Sequence, residues 1–198
     1  MYEFEGCPFC KKVREAVCIL DLDVLMLPCP KGGPTYRLKA RELGGKAQFP
    51  FLVDPNTNVQ MYESDDIIQY LFDTYGEEGE RIPFTLMPNS ALTTLSASLS
   101  MIPRVGKGSG FVEAKMAKQP LVFWGYDASP FCKVVRERLV ELELPHVFKT
   151  ASRGSTKRNE LWEKTGRFQV PFLEDPNNGV ELFESVDIIN YVNNVYAV

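Results

Sequence analysis

Gly6-Cys7-Pro8-Phe9-Cys10-Lys11-Lys12-Val13 returns later in the chain as Ala128-Ser129-Pro130-Phe131-Cys132-Lys133-Val134-Val135. Two more pairs follow in the same order. Gln48-Phe49-Pro50-Phe51-Leu52 returns as Gln169-Val170-Pro171-Phe172-Leu173, and Tyr62-Glu63-Ser64 as Phe183-Glu184-Ser185. The chain therefore reads as one domain written twice. The register between the copies slips by one residue after the first pair, which a single deletion near Pro28 explains. The copies differ most pointedly at one position, Cys7 in the first and Ser129 in the second.

Local patterns around these segments predict the elements. Tyr2-Glu3-Phe4 and Leu121-Val122-Phe123-Trp124 read as opening strands, each leading through a turn into a helix. Val13, Ala16, Val17 and Leu20 recur at helical spacing, as do Val135, Leu139 and Leu142. Short strands follow at Val24 to Leu27 and at Val147-Phe148. A second helix is predicted over 35–43 and again over 156–164, ending at Gly44-Gly45 and at Gly166, residue types suited to a left-handed cap. Hairpins turn at Asp54-Pro55-Asn56 and at Asp175-Pro176-Asn177. Ser64 and Ser185 are read as N-caps of the closing helices. The fold class is α/β, with two β-α-β-α-β-β-α domains in tandem, 1–76 and 119–198. A partly helical linker over 77–118 joins them. Within it, Asn89 is expected to cap a short helix bearing Leu92, Leu95, Leu99 and Ile102, stopped by Pro103. Gly106-Lys107-Gly108-Ser109-Gly110 reads as a mobile connector.

Composition narrows the function. The 198 residues carry a net charge of −4, which argues against nucleic acid and anionic membrane surfaces as partners. No run of apolar residues is long enough to suggest a membrane span. Met1-Tyr2 runs straight into a strand, so an upstream segment is expected in the natural protein. The five cysteines, Cys7, Cys10, Cys18, Cys29 and Cys132, make a poor disulfide framework and suit a reducing compartment. Cys18 is expected in the core. Cys29, between Pro28 and Pro30, is a candidate exposed thiol. His146 stands alone, without the Cys/His cluster of a zinc site, and no metal ligands are assigned.

The chemistry concentrates at Cys7. A thiol at a helix N-terminus receives backbone N–H groups and the positive end of the helix dipole, which favour the thiolate. Lys11 and Lys12 add positive charge. Pro8 suits the first helical turn because it supplies no N–H that the helix needs. Cys10, three residues on, is within reach to close a disulfide with Cys7 and resolve a mixed disulfide. Glu63-Ser64 and Glu184-Ser185 open helices, where free N–H groups favour an anion.

Cys-Pro-Phe-Cys at a strand-to-helix turn, followed by a Pro opening the third strand, resembles the thioredoxin fold. Glu63-Ser64 after the fourth strand is similar to the glutathione-binding signature of glutathione transferase N-terminal domains. The chain thus resembles a tandem protein of such domains, glutaredoxin-like, of a kind found in photosynthetic organisms. That resemblance implies a chloroplast location, or otherwise a cytoplasmic one. It implies that the Phe49-Pro50 and Val170-Pro171 bonds are cis and that Phe49 and Val170 pair with the cysteinyl backbone of glutathione. It also implies that Glu63 and Ser64, and Glu184 and Ser185, hold its γ-glutamyl end, with Phe9, Lys11 and Phe131 bordering the sites. Ser129 would hydrogen-bond a glutathione thiolate in place of attacking. Glutathione is the implied cofactor, and a small-molecule thiol or disulfide the implied substrate. The two domains are expected to pack on each other. The function expected is that of a thiol–disulfide oxidoreductase or thiol transferase acting through Cys7. The alternatives are a non-catalytic glutathione-binding module, an iron–sulfur-binding module, or an isomerase like the soluble-domain prostaglandin E synthases, which share Cys-Pro-Phe-Cys.

Overall fold

The computed structural model describes residues 1–87 and 106–198. In these residues the β-α-β-α-β-β-α order occurs twice. The first half runs β1 (Tyr2–Glu3), α1 (Pro8–Ile19), β2 (Asp23–Pro28), α2 (Tyr36–Gly44), β3 (Leu52–Asp54), β4 (Val59–Met61) and α3 (Ser64–Tyr75), with a 3₁₀ turn at Phe84–Leu86 beyond it. The second runs β5 (Leu121–Gly125), α4 (Pro130–Glu141), β6 (His146–Thr150), α5 (Lys157–Thr165), β7 (Phe172–Asp175), β8 (Val180–Phe183) and α6 (Ser185–Tyr196). The thioredoxin-like α/β fold expected from the sequence is the one observed. The predicted linker helix falls on Asn89 to Pro103, outside the described residues. Among the described residues no helix is long and apolar enough to cross a membrane.

Local chemistry accounts for the helix ends. Pro8 and Pro130 open α1 and α4, and the residues before them, Cys7 and Ser129, take the cap. Gly45 and Gly166 close α2 and α5 in the left-handed region, at φ 78° and 71°. One boundary differs from the sequence reading. Ser64 and Ser185 are the first helical residues, and Glu63 and Glu184 take the cap positions at φ 65° and 64°. Gly32 and Gly154 share a positive φ, so the one-residue slip between the copies falls after Gly32 and not near Pro28.

The strands form one sheet in the order β1-β2-β6-β5-β7-β8, and β3-β4 forms a separate pair. Reciprocal hydrogen bonds between Tyr2 and Phe51, 2.9 and 3.1 Å, attach that pair beside β1. The join between the halves is the antiparallel pairing of β2 with β6. Val24 faces Phe148, Leu25 faces Val147 and Met26 faces His146. Val24 is the counterpart of His146, and Met26 of Phe148. The register is therefore two-fold symmetric about Leu25 and Val147. Each strand covers an edge that the other would leave open.

The same symmetry governs what is buried at the seam. Val13, Ala16, Val17, Ile67 and Ile68 share one core with Val135, Leu139, Ile188 and Val192. Beside it lie two buried arginines, Arg14 and Arg136. Arg14 reaches Asp127 at 2.7 Å, Glu5 at 3.1 Å and also Glu3. Arg136, its counterpart, reaches Glu5 at 3.0 Å and Asp127 at 3.3 Å. Glu5 and Asp127 are counterparts too, so each half supplies an arginine and a carboxylate to the other. A second exchange caps helices. Glu143, at φ 48°, accepts the Thr35 and Tyr36 N–H groups at the start of α2. Asp21, at φ 50°, accepts the Thr150 and Ser155 hydroxyls before α5, at 2.6 and 2.7 Å.

Two expectations are corrected by packing. Cys29 is wholly buried, and burial pushes its thiol up, so it is not an exposed thiol. The glycine-rich connector at 106–110 is not free. Lys31 forms a parallel bridge with Gly110, and Ser109 lies against Gly6.

Candidate functional site

Cys7 sits where β1 has turned into α1, in extended backbone at the helix cap. Its sulfur accepts the Cys10 N–H at 3.2 Å. Its thiol faces the Phe49 carbonyl at 3.8 Å, and the Phe49-Pro50 bond is cis. Hydrogen bonding from Cys10 outweighs burial and the nearby Glu3 carboxylate and holds the Cys7 thiol below the ordinary range. Cys10 has the opposite fate. It is wholly buried, and burial followed by the neighbouring Cys7 pushes its thiol well above the ordinary range. The two sulfurs are therefore driven apart, Cys7 toward the thiolate and Cys10 toward the thiol. Phe9 projects outward at this turn, half exposed.

The rest of the predicted set gathers around the cis-proline turn. Phe49 stacks edge-on against Phe4, and its backbone N–H has no partner among the described residues. Glu63 begins α3 without a side-chain cap, so the N–H groups of the first turn at Ser64 stay open. The Gln48 side chain reaches across to Glu63 Oε1 at 2.6 Å. It thereby ties the chain before the cis proline to the helix start. Lys12, not Lys11, is the lysine held at this end of the site. It is buried and pairs with Asp65, the residue after Ser64. Lys11 instead pairs with Glu15 along α1 at 3.4 Å.

The second half repeats the frame with different chemistry. Ser129 is buried, and its Oγ accepts the Cys132 N–H at 3.2 Å, as Cys7 accepts that of Cys10. Val170-Pro171 is cis. Gln169 donates to Glu184 Oε1, and Ser185 opens α6. Cys132 is wholly buried with its thiol pushed up by burial. Val134 and Val186 replace the Lys12–Asp65 pair, and Val186 and Phe131 are exposed. The outer rim of this half is therefore apolar where the first is charged.

Three contributors were not singled out from sequence. Gln48 and Gln169 recur at matched positions of the repeats, and that recurrence is their signal. Arg37 stands on α2 with its guanidinium 4.8 Å from the Phe49 ring, donating to the Cys29 and Pro30 carbonyls. No short motif marks it. Cys18, expected in the core, is only half buried and lines a cavity between the halves, with its thiol pushed up to about 12 by burial. His146 is buried in β6 against the Leu144 carbonyl, and burial lowers it to about 4, so it is neutral.

The comparison with protein families agrees with this frame. The family model for the glutathione S-transferase N-terminal domain matches residues 1–79 and 123–197. Among solved structures, a glutathione transferase homolog from Drosophila mojavensis, with bound glutathione, is similar at 27% identity and a TM-score of 0.35. The match covers 38% of this chain and 34% of that one, so this chain spans about a third of its length. No curated protein matches the chain.

Proposed function

The chain belongs to the glutathione S-transferase N-terminal-domain family, and from that premise we propose that it binds glutathione and acts as a thiol–disulfide oxidoreductase through Cys7. The observation that carries this reading is the state of Cys7, a capping sulfur hydrogen-bonded by the Cys10 N–H, facing the cis-proline turn, with its thiol held down. The thiolate is the nucleophilic form of a cysteine, and a lowered pKa raises its share.

The proposed cycle balances with glutathione as the reductant. The Cys7 thiolate attacks the glutathione sulfur of a mixed disulfide. The S–S bond breaks, the substrate leaves as a thiolate, and Cys7 carries glutathione. Cys10 then attacks the Cys7 sulfur and expels glutathione, or a second glutathione thiolate attacks the bound glutathione sulfur, forms glutathione disulfide and expels the Cys7 thiolate. Resolution by Cys10 leaves a Cys7–Cys10 disulfide for glutathione to reduce. Cys10 must give up its proton to act, which makes it the slower resolver. The unpaired Phe49 N–H is suited to the cysteinyl carbonyl. The open N–H groups at Ser64 are suited to the γ-glutamyl carboxylate, with Glu63 for its ammonium.

In the second half the same elements would hold glutathione, with Ser129 donating its hydroxyl to the thiolate. This half cannot form a mixed disulfide and would serve binding or thiol addition. Reduction of hydroxyethyl disulfide by glutathione tests the reading. Cys7→Ser is expected to bring the rate to background, and an unchanged rate would dismiss Cys7 as nucleophile. Calorimetric titration with glutathione is expected to count two sites per chain, with Glu63→Ala and Glu184→Ala each removing one.

A further inference from the structure

The β2–β6 seam has a recess at each end, and among the described residues only one of the two is filled. The open recess is a cavity of about 650 Å³ between the end of α1 and the turns leading into α4 and α5. Glu15, Ile19, Asp127, Ala128, Arg153 and Gly154 are among its walls. Their counterparts at the other end are Glu137, Glu141, Glu5, Gly6, Lys31 and Gly32. Those residues hold the connector. The Lys31 N–H donates to the Ser109 carbonyl at 2.6 Å, and the Phe111 N–H donates to the Lys31 carbonyl at 3.0 Å. The Gly108 N–H meets Glu141 Oε1 at 3.0 Å, and the Val112 N–H meets the Glu141 carbonyl at 2.8 Å. Gly108 is wedged so that a Cβ there would stand 2.8 Å from Glu5 Cβ and 3.1 Å from Glu137. The filled recess therefore shows what its geometry accepts: a glycine turn, with Gly108 at φ 70°, that runs into a bridged segment held by its backbone.

The open recess offers the same backbone anchors, and they are unused. Among the described residues, the N–H and C=O of Arg153 and the C=O of Ile19 have no partner. Glu15, Asp21 and Glu77 outnumber Arg153 on the walls, while Asp127 is taken up by Arg14 and Arg136. One side chain changes the fit. A Cβ at Gly6 would collide with Ser109 Oγ, and the counterpart of Gly6 is Ala128. A segment in the open recess must therefore place glycine where the connector has Ser109. We propose that this recess docks a neutral or basic, glycine-containing peptide segment of a partner protein, which turns at glycine as the connector does, pairs its backbone with Arg153 and sets glycine over Ala128. The mode is backbone pairing: the main chain supplies affinity and the wall side chains supply selectivity. The inference goes beyond glutathione chemistry and does not depend on it. Ala128 precedes Ser129, so a docked segment would lie beside the second half's cap.

The test uses the full chain and two labelled synthetic peptides read by fluorescence anisotropy. One is Lys-Gly-Ser-Gly-Phe-Val, the sequence of 107–112. The other is Lys-Gly-Gly-Gly-Phe-Val. Saturable binding is expected, with the glycine peptide tighter by about fivefold or more because the serine overpacks against Ala128. Ala128→Gly should erase that preference, and Ala128→Val should weaken both peptides. Arg153→Pro, which removes the N–H, should abolish binding, while Arg153→Ala should leave it intact. Equal affinities in the unaltered chain, binding indifferent to Arg153→Pro and Ala128→Val, or no saturable binding at millimolar peptide would each overturn the proposal.

Discussion

Cys7 and Cys10 are three residues apart, yet their thiols are driven in opposite directions. Both are buried, and the direction follows from which sulfur receives an N–H and which is wholly sealed from water. Alkylation of the native chain with iodoacetamide at neutral pH should therefore modify Cys7 first. Mass spectrometry should find Cys10, Cys29 and Cys132 protected until the chain is unfolded. Earlier labelling of Cys29 or Cys132 would contradict the burial described. The rate at Cys7 should rise with pH to a midpoint below the ordinary thiol value of about 8.5. The sign for stability follows from the same shift. A thiol whose pKa falls on folding contributes stability above its unfolded pKa and loses it as pH drops through the folded value. Ser129→Cys places a sulfur on the Cys132 N–H, and a second fast-labelling thiol is the expected result. Cys7 was legible as the special sulfur because its motif names the helix end. Cys29 was misread because flanking prolines look like an exposed loop, while its burial under Tyr36 and Phe51 depends on α2 folding back over β1.

At the scale of elements, the closing helices are tied to their hairpins by one carboxylate each. Asp54 accepts the hydroxyls of Tyr70 and Tyr75, and Asp175 those of Tyr191 and Tyr196, at 2.5 to 2.6 Å. Burial pushes the Asp175 carboxyl up, but the Tyr191 and Tyr196 hydroxyls and the Asn178 and Asn177 side chains outweigh it and hold it at about 2. The stability this lends is present above the ordinary carboxylate pKa of about 4 and lost as pH falls toward 2. Asp175→Ala should cost about 2–3 kcal/mol in urea unfolding, because it strands two tyrosine hydroxyls. A loss below about 0.5 kcal/mol would show that water satisfies them. The hairpin turns and the Gly45 and Gly166 caps were legible because their signals are local. The tyrosine ties were not, since Tyr191 and Tyr196 follow the turn by a full strand and helix. The cap was placed one residue late, at Ser64, because a glutamate at positive φ is not a cap that residue preference would choose.

At the scale of the molecule, the seam rests on charges that sequence alone presents as a solvated helix face. Arg14 and Arg136 fall among Lys and Glu on their helices, and Glu5 and Asp127 sit in turns. Only their recurrence at matched positions hinted at a shared role, and the antiparallel pairing of β2 with β6 had no local signature at all. The connector was misread for a related reason: Gly108 is there because Glu5 and Glu137 leave no room for a side chain, not to keep the strand loose. Arg14→Met would leave Glu3, Glu5 and Asp127 facing Arg136 alone. A loss on the order of 3–5 kcal/mol is expected in urea unfolding, and a neutral result would show that the carboxylates take up protons at little cost. Residues 1–79 expressed alone should self-associate in sedimentation, since β2 would seek another β2 and Arg14 another Glu5. A monodisperse monomer would argue that the seam adds little.

The two-fold register about Leu25 and Val147 also bears on how the sites could diverge. Two identical chains meeting in this way must alter both sites with every mutation. One covalent chain is released from that constraint. A sulfur can be kept at one cap and exchanged for a hydroxyl at the other, and one recess can be plugged while its twin stays open. The linkage thus converts a symmetric assembly into a scaffold on which two specialisations evolve independently, while the seam that orients them is held in common.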